Sequence, residues 1–230
     1  MSRLPNADGA GLVAELAEVI VANKAYLSEI DGLIGDGDHG VNMAKGFSRA
    51  AERTAGRDLT LDEGMAELAD VLLSEIGGSM GPLYGLMFTE MSEAAAGKES
   101  LDAQNFGAML RAGLEGVQGV GSAKVGDKTL IDCLQPAVEA FEAEAGGGFG
   151  PAVAAMKAAA EKGRDSTVDL VARIGRSARL GERSRGVLDA GATSCCLLLR
   201  AMGDGAMSEA MGGDGATQGN PGKPLRRRAR

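Results

Sequence analysis

Apolar residues recur every three or four positions along most of this chain, and glycine-rich stretches interrupt the pattern. This spacing places apolar side chains on one face of an α-helix, whereas strands would need alternation or runs of β-branched and aromatic residues. Aromatic residues make up only 3% of the sequence, while glycine occurs 36 times. The sequence therefore predicts helices separated by glycine-rich loops, and it indicates no strand.

The periodic segments divide into eight predicted helices. The first follows a cap at Asp8, the third begins at Thr60 with Glu63 at capping-box spacing, and the sixth begins at Asp127 with a kink at Pro136. The seventh either continues past Gly163 or breaks there. The approximate bounds are 9–31, 39–55, 60–76, 82–97, 100–118, 127–145, 151–173 and 192–202. Eight helices with short connections predict an all-α antiparallel up-and-down bundle or closed barrel.

The net charge of −8 is distributed unevenly along the chain. Residues 213–230 carry five basic side chains against the single carboxylate of Asp214, which makes this end +4 and leaves −12 for the rest. The strongly acidic part of the chain, residues 1–212, disfavours nucleic acid as a principal partner, because its negative charge repels the phosphate backbone. Residues 212–230 also lack the apolar surface that a core requires, so we predict one domain over residues 1–211 and a disordered basic tail.

The sequence contains no stretch of about 18 apolar residues, which predicts no membrane span. Residues 1–10 also lack the apolar core of a signal peptide. The three cysteines, Cys133, Cys195 and Cys196, have no metal-ligand spacing and form no plausible disulfide framework. We therefore expect small core cysteines in a cytoplasmic protein.

Residues 31–40 form the most acidic loop. Asp31, Asp36 and Asp38 lie within eight residues, and they repel one another unless a cation or a hydrogen-bond donor compensates. Magnesium is the natural counterion, because it prefers carboxylate oxygens together with water and substrate phosphates. The alternative for each carboxylate alone is an Asx turn or a helix cap.

Two further loops have compositions that suit phosphate. Glycines at 77, 78 and 81 would let backbone amides converge at a helix N-terminus, although a C-capping glycine pair is favoured when the motif is taken alone. Residues 175–184 are rich in arginine, which binds phosphate through a permanently charged fork, although a solvated linker has the same composition. Residues 121–129 resemble a P-loop, but Asp127 separates the glycine from Lys128 and the segment follows a helix, so we reject that interpretation.

Five motifs together resemble the ADP-binding L-subunit family of dihydroxyacetone kinase. They occur in the family's order over residues 8–210, and they are Gly35-Asp-Gly-Asp-His-Gly40 with Asn42, Gly77-Gly-Ser-Met-Gly-Pro-Leu-Tyr-Gly85, Gly126-Asp-Lys-Thr129, Gly175-Arg-Ser-Ala-Arg-Leu-Gly-Glu-Arg-Ser184 and Asp189-Ala-Gly-Ala-Thr193. The resemblance implies an eight-helix antiparallel barrel with nucleotide held at one end. It also implies phosphoryl transfer by a kinase that binds ADP or ATP with magnesium.

The resemblance also implies roles for individual residues. Asp31, Asp36 and Asp38 would hold two magnesium ions, and Arg176 would be the catalytic residue that neutralises phosphate charge. The nucleotide would be bound by His39, Gly40, Asn42, Ser79, Met80, Gly121, Thr129, Leu130, Arg176, Asp189 and Gly191. Two positions depart from the family, which commonly has serine at Met80 and the opposite order at Ser177-Ala178.

The family's substrate subunit binds the ketone covalently through a histidine, yet this chain has only His39. We therefore expect one subunit of a kinase, with the short ketose held by a partner subunit. A phosphohistidine protein is an alternative donor to free ATP. The remaining alternatives are a kinase subunit for another ketose such as erythrulose, and a non-catalytic nucleotide-binding regulatory protein. Partner docking is expected at the rim around Asp38 and Arg179.

Overall fold

A computed structural model describes residues 2–210 of the protein, in which nine α-helices and one pair of two-residue strands are present. The helices are α1 (Gly9–Ala22), α2 (Lys24–Ile34), α3 (His39–Thr54), α4 (Leu61–Glu75), α5 (Met80–Ala95), α6 (Ala103–Val120), α7 (Ile131–Glu144), α8 (Phe149–Ser166) and α9 (Ala190–Ala210). Short 3₁₀ turns cover Ala145–Gly147, Thr167–Asp169 and Ser177–Ser184. The predicted basic tail, residues 212–230, lies outside the described residues.

The helices form a closed ring around the core. From α3 to α9 each helix packs against the next one along the chain, and α9 packs against α1, which in turn packs against α3. Short connections make successive helices antiparallel, so alternate loops gather at the same end. The predicted all-α up-and-down barrel is therefore confirmed.

The first predicted helix is two helices, because the chain breaks at Asn23. This residue is 1% exposed, and its side-chain amide donates to the Val19 carbonyl oxygen at 2.8 Å. A short polar side chain that bonds its own helix competes with the backbone ladder. The helix α2 that follows packs against α3 and α9 and carries Asp31 to the end of the barrel.

Other boundaries differ from the predictions by a few residues. The capping box of Thr60 and Glu63 is confirmed at the start of α4. Helix α7 begins at Ile131 instead of Asp127, because residues 126–130 form a turn. Helix α8 continues past Gly163, whose missing side chain leaves room for the backbone of α7 at Asp132, and it ends at Ser166 instead of 173.

The sequence indicated no strand, and this prediction is wrong in one detail. β1 (Leu4–Pro5) pairs antiparallel with β2 (Ser100–Leu101), where the N-terminal segment crosses the loop before α6. The predicted fifth helix consequently starts at Ala103 instead of Ser100, after an Asp102 cap. This pair lies at the end of the barrel where the α3–α4 and α5–α6 loops meet.

The core is built from aliphatic and methionine side chains with two aromatic groups. Phe106 packs against Phe141 in a tilted arrangement and against Phe149 edge-on, with ring centroids 5.3 and 5.6 Å apart, and Phe47 meets Phe88 edge-on. The three cysteines are buried and free, as predicted. Across residues 2–210, the helices are too short or too polar to cross a membrane.

Candidate functional site

The acidic loop brings its three carboxylates together at one end of the barrel. Asp31 lies in the last turn of α2, and Asp36 and Asp38 follow in the loop before α3. One oxygen from each of the three carboxylates lies within 4.8 Å of the others. Asp36 and Asp38 are exposed and Asp31 is partly buried, so the cluster faces solvent while remaining attached to the barrel.

Arg176 provides the positive charge opposite this cluster. Its guanidinium contacts the Asp36 carboxylate and lies 3.8 Å from the Asp38 carboxylate. The 3₁₀ turn Ser177–Ser184 that follows Arg176 packs against α2. The acidic loop and the arginine-rich segment are thus joined, although 138 positions separate Asp38 from Arg176.

Close helix packing holds the acidic loop in place. Gly40, in the first turn of α3, lies so near α2 that a Cβ there would overlap the Lys24 carbonyl oxygen and lie 2.7 Å from Ser28 Oγ. Gly37 has a φ of +77°, which lets the chain turn between the two helices. The amide of His39 points at Asp31 Oδ2 at 3.4 Å.

A hydrogen-bond chain runs from the acidic loop into the barrel. His39 Nε2 lies 2.9 Å from Ser194 Oγ, and Ser194 Oγ lies 2.6 Å from the Tyr84 hydroxyl. The Tyr84 hydroxyl also donates to the Gly191 carbonyl oxygen at 3.1 Å. Burial lowers the pKa of His39 to about 4, although nearby Asp31 opposes this shift. The imidazole is therefore neutral at pH 7 and suited to a fixed hydrogen-bonding role.

The start of α9 meets the start of α7 at the same end. A Cβ on Gly191 would lie 3.5 Å from the Leu130 amide nitrogen, so these two predicted nucleotide residues are neighbours. Asp189 caps α9 by accepting from the Ala192 amide at 2.7 Å. Burial raises the pKa of Asp189 to about 7, while this capping bond and Lys128 act in the opposite direction.

Lys128 is not a phosphate-binding P-loop lysine. Its side chain is 1% exposed, and its ammonium donates to the carbonyl oxygens of Thr167 and Val187, each at 2.5 Å. Asp132 supports the turn around it by accepting from the Gly126 amide at 2.6 Å and the Thr129 amide at 2.7 Å. The geometry thus agrees with rejecting a P-loop.

The other predicted site residues lie around the same end. Asn42 is partly buried in the first turn of α3, and Ser79 is exposed immediately before α5. Met80 is 7% exposed and packs in the core, so its side chain faces the barrel interior. Gly121 is exposed at the end of α6 with open space beside it. The structure brings these loops to one end, and their nucleotide contacts remain predictions.

Three residues of this end received no role from the sequence: Lys128, Tyr84 and Ser194. Each acts through a partner more than 35 positions away, which periodicity and spacing do not report. The one available signal was that Tyr84 lies inside the glycine-rich motif and is one of only two tyrosines.

The fold and the site together define a class of protein. Its members are all-α barrels with a carboxylate cluster, an arginine and glycine-rich loops at one end. A family model described as the DAK2 domain matches residues 33–204, and the chain belongs to this family. It is a family of kinases, that is, of phosphotransferases.

Individual relatives make the assignment more specific. The chain is 39% identical over 195 residues to "PEP-dependent dihydroxyacetone kinase 1, ADP-binding subunit DhaL" of Listeria innocua, covering 82% of this chain and 90% of that protein. It is 34% identical to "L-erythrulose 1-kinase" of Mycolicibacterium smegmatis over 81% of this chain but only 33% of that protein. The predicted resemblance to the L-subunit family is therefore confirmed.

A solved structure supports the same fold. The dihydroxyacetone kinase of C. freundii, crystallised with AMP-PNP and Mg2+, superposes with a TM-score of 0.67 at 26% identity. The match covers 87% of this chain and 34% of the C. freundii chain, so this protein spans about a third of that kinase.

Proposed function

We propose that this chain is the nucleotide-binding subunit of a dihydroxyacetone-type kinase, which transfers a phosphoryl group from magnesium-bound nucleotide to a short ketose held by a partner subunit. The observation that carries the proposal is the carboxylate cluster opposite Arg176. It lies in a chain that covers 90% of a relative named as an ADP-binding subunit.

The metal part of the proposal assigns Asp31, Asp36 and Asp38 to two magnesium ions. The donor set fits, because three carboxylate oxygens within 4.8 Å match the hard oxygen ligands that magnesium prefers. Arg176 already pairs with two of these carboxylates, so the cluster accepts positive charge at this position. When bound, magnesium would neutralise the negative charge of the nucleotide phosphates.

The nucleotide part of the proposal uses the surrounding loops. His39 and Gly40 would contact the phosphates from the start of α3, and Gly191 and Leu130 would line the same site from α9 and α7. A neutral His39, held by Ser194, presents a fixed donor or acceptor to the ligand. The remaining residues assigned to the nucleotide are Asn42, Ser79, Met80, Gly121, Thr129, Arg176 and Asp189.

Arg176 would be the catalytic residue of this chain. Phosphoryl transfer depends mainly on positioning and on stabilising the charge of the transferred group. A guanidinium offers two parallel donors to phosphate oxygens. Arg176 is 57% exposed and belongs to a segment with glycines at 175, 181 and 186, so its head group can reach a phosphate beside the carboxylates.

The partner would dock on the rim around Asp38 and Arg179. Three exposed apolar side chains flank this rim: Leu33 in α2, Val41 in α3 and Ile174 before Arg176. Exposed apolar side chains provide surface that a partner can bury, and the acidic residues favour a partner with basic groups. The single histidine of the chain is already bonded to Ser194, which is why ketone binding is assigned to the partner.

Three buried, free cysteines favour a reducing, cytoplasmic location.

Three alternatives are considered, of which the first is favoured by a specific observation. The similarity to L-erythrulose 1-kinase favours another short ketose as substrate, and the choice would reside in the partner. A phosphohistidine protein would replace free ATP as donor if ADP stayed bound to the chain. A regulatory nucleotide-binding protein would bind ADP without turnover.

Reconstitution with a ketone-binding subunit tests the kinase function. We expect ketose phosphorylation only when both subunits, magnesium and nucleotide are present. The double variant Asp36→Asn/Asp38→Asn should abolish magnesium-dependent ADP binding in calorimetry. The control Asp58→Asn/Asp70→Asn removes two exposed carboxylates elsewhere and should bind normally. Unchanged binding by the first variant would reject the metal assignment, and ADP binding without turnover would favour the regulatory alternative.

Hydrogen exchange tests the docking surface. Adding the partner should protect residues 31–43 and 175–191. Protection confined to the opposite end, at residues 55–60 and 96–102, would contradict the proposed geometry.

A further inference from the structure

The segment that carries Arg176 leaves the barrel and returns to it at nearly the same point. It departs after α8 at Thr167 and comes back before α9 at Val187. The ammonium of Lys128 lies between these two positions, donating to both carbonyl oxygens at 2.5 Å and to the Leu170 carbonyl oxygen at 3.3 Å. One side chain therefore joins both ends of the segment.

Lys128 reaches this position because its own backbone is held tightly. Its φ of +64° is unusual for a residue with a side chain, and it turns the side chain inward. Asp132, in α7, is 1% exposed. Its two carboxylate oxygens accept from the backbone amides of Gly126 and Thr129, which lie on either side of Lys128. The ammonium is thus anchored through the turn to α7.

Other contacts also hold the base of the segment, including one from the Arg185 guanidinium to the Asp169 carbonyl oxygen. The Gly186 amide donates to the Val168 carbonyl oxygen at 2.7 Å, and the Asp189 amide donates to Thr167 Oγ1 at 3.0 Å. The Arg173 amide donates to the Asp127 carbonyl oxygen at 3.1 Å. Beyond this base, residues 173–176 are exposed. The 3₁₀ turn Ser177–Ser184 packs against α2, and the Ala172 amide donates to the buried Ser184 Oγ at 2.9 Å. The position of Arg176 depends on these contacts together with the way in which the base is fixed.

We propose that Lys128 is a positioning residue for phosphoryl transfer: its buried ammonium ties both ends of segment 167–187 to the turn before α7 and so holds Arg176 against the acidic loop. This inference rests on the proposed kinase function only for its kinetic test. It predicts that Lys128 acts through Arg176, without touching nucleotide or metal. Charge-assisted bonds to three carbonyl oxygens are stronger than neutral ones, which suits an ammonium to this task.

A double-mutant cycle in the reconstituted enzyme tests the proposal. Lys128→Met keeps most of the length of the unbranched side chain and removes its three bonds. It should lower kcat about 100-fold at saturating nucleotide and ketose, the scale expected for a displacement of about 1 Å. In an Arg176→Ala background the same substitution should lower kcat by less than about 3-fold, because the arginine that Lys128 positions is already absent. Lys162→Met, an exposed residue of α8, is the matched control and should behave like wild type.

Equal loss of kcat in both backgrounds would overturn the proposal, since a general structural defect does not depend on Arg176.

Hydrogen exchange supplies a second test that needs no turnover. Residues 170–187 should exchange faster in Lys128→Met while α1 to α6 exchange as in wild type, and unchanged exchange there would also overturn it. If Lys128→Met does not fold, Lys128→Gln, which keeps an uncharged donor, replaces it in both tests. Absence of turnover in wild type would contradict the proposed function alone, because the exchange test still decides the role of Lys128.

Discussion

Removing Arg176 should strengthen binding of a divalent cation to the nucleotide-free chain. The Arg176 guanidinium contacts Asp36 and lies 3.8 Å from Asp38, so it neutralises the carboxylates that we assign to magnesium. A cation that binds these oxygens has to displace the arginine. Arg176→Ala removes this competition and leaves the carboxylates uncompensated.

The size of the effect follows from the exposure of the groups. The Arg176 side chain is 57% exposed and its two partners are 49% and 51% exposed, so solvent screens both contacts. Exposed ion pairs contribute about 0.2–1 kcal/mol. A displacement cost of about 1 kcal/mol corresponds to roughly 5-fold in affinity. Raising the ionic strength should reduce the difference, because salt screens exposed charges.

Calorimetric titration of the nucleotide-free chain with magnesium or manganese measures this change. Arg183→Ala is the matched control, because Arg183 is exposed in the 3₁₀ turn that follows Arg176 and the substitution changes the net charge equally. In the presence of ADP the order should reverse, with Arg176→Ala binding nucleotide more weakly than the control. If Arg176→Ala binds the cation no more tightly than wild type, or if Arg183→Ala gains as much affinity, then Arg176 does not compete with the cation for these carboxylates.

Three further predictions concern the packing and ionisation of the site. Gly40→Ala should destabilise the chain by about 1–3 kcal/mol in urea unfolding, because a Cβ would overlap the α2 backbone; Gly119→Ala has open space and should cost nothing. Burial raises the pKa of Asp189 to about 7, from 3.8 when unfolded, so as the pH rises the unfolded chain releases this proton first and stability falls between about pH 4 and 7. Asp189→Asn should remove this pH dependence, so that wild type loses on the order of 2 kcal/mol of unfolding free energy from pH 5 to pH 8 relative to the variant. Equal pH dependence of the two proteins would contradict the raised pKa of Asp189. Ser194→Ala should cost about 1–3 kcal/mol of unfolding free energy, because it leaves His39 and Tyr84 without their shared partner; full retention of stability would show that water replaces the hydroxyl.

Local sequence was sufficient where a feature depends on neighbouring residues. The apolar spacing predicted the barrel helices because a helix buries one face, and Thr60 with Glu63 marked the start of α4 because a capping box spans four residues. The acidic cluster was predicted for the same reason, since Asp31, Asp36 and Asp38 lie within eight residues of one another. Helix boundaries were wrong where a side chain competes with the backbone, as at Asn23, or where a turn precedes the helix, as at Lys128.

By itself the sequence determined the helical class, the order of the helices, the acidic and arginine-rich loops and the family resemblance. Only the tertiary structure decided that Arg176 faces Asp36 and that Ser194 joins His39 to Tyr84. It also decided that Lys128 joins the two ends of segment 167–187. These contacts join residues 39 to 155 positions apart. Their geometry depends on which loops the closed ring of helices brings to the same end, and hydrophobic periodicity carries no information on the approach of one loop to another.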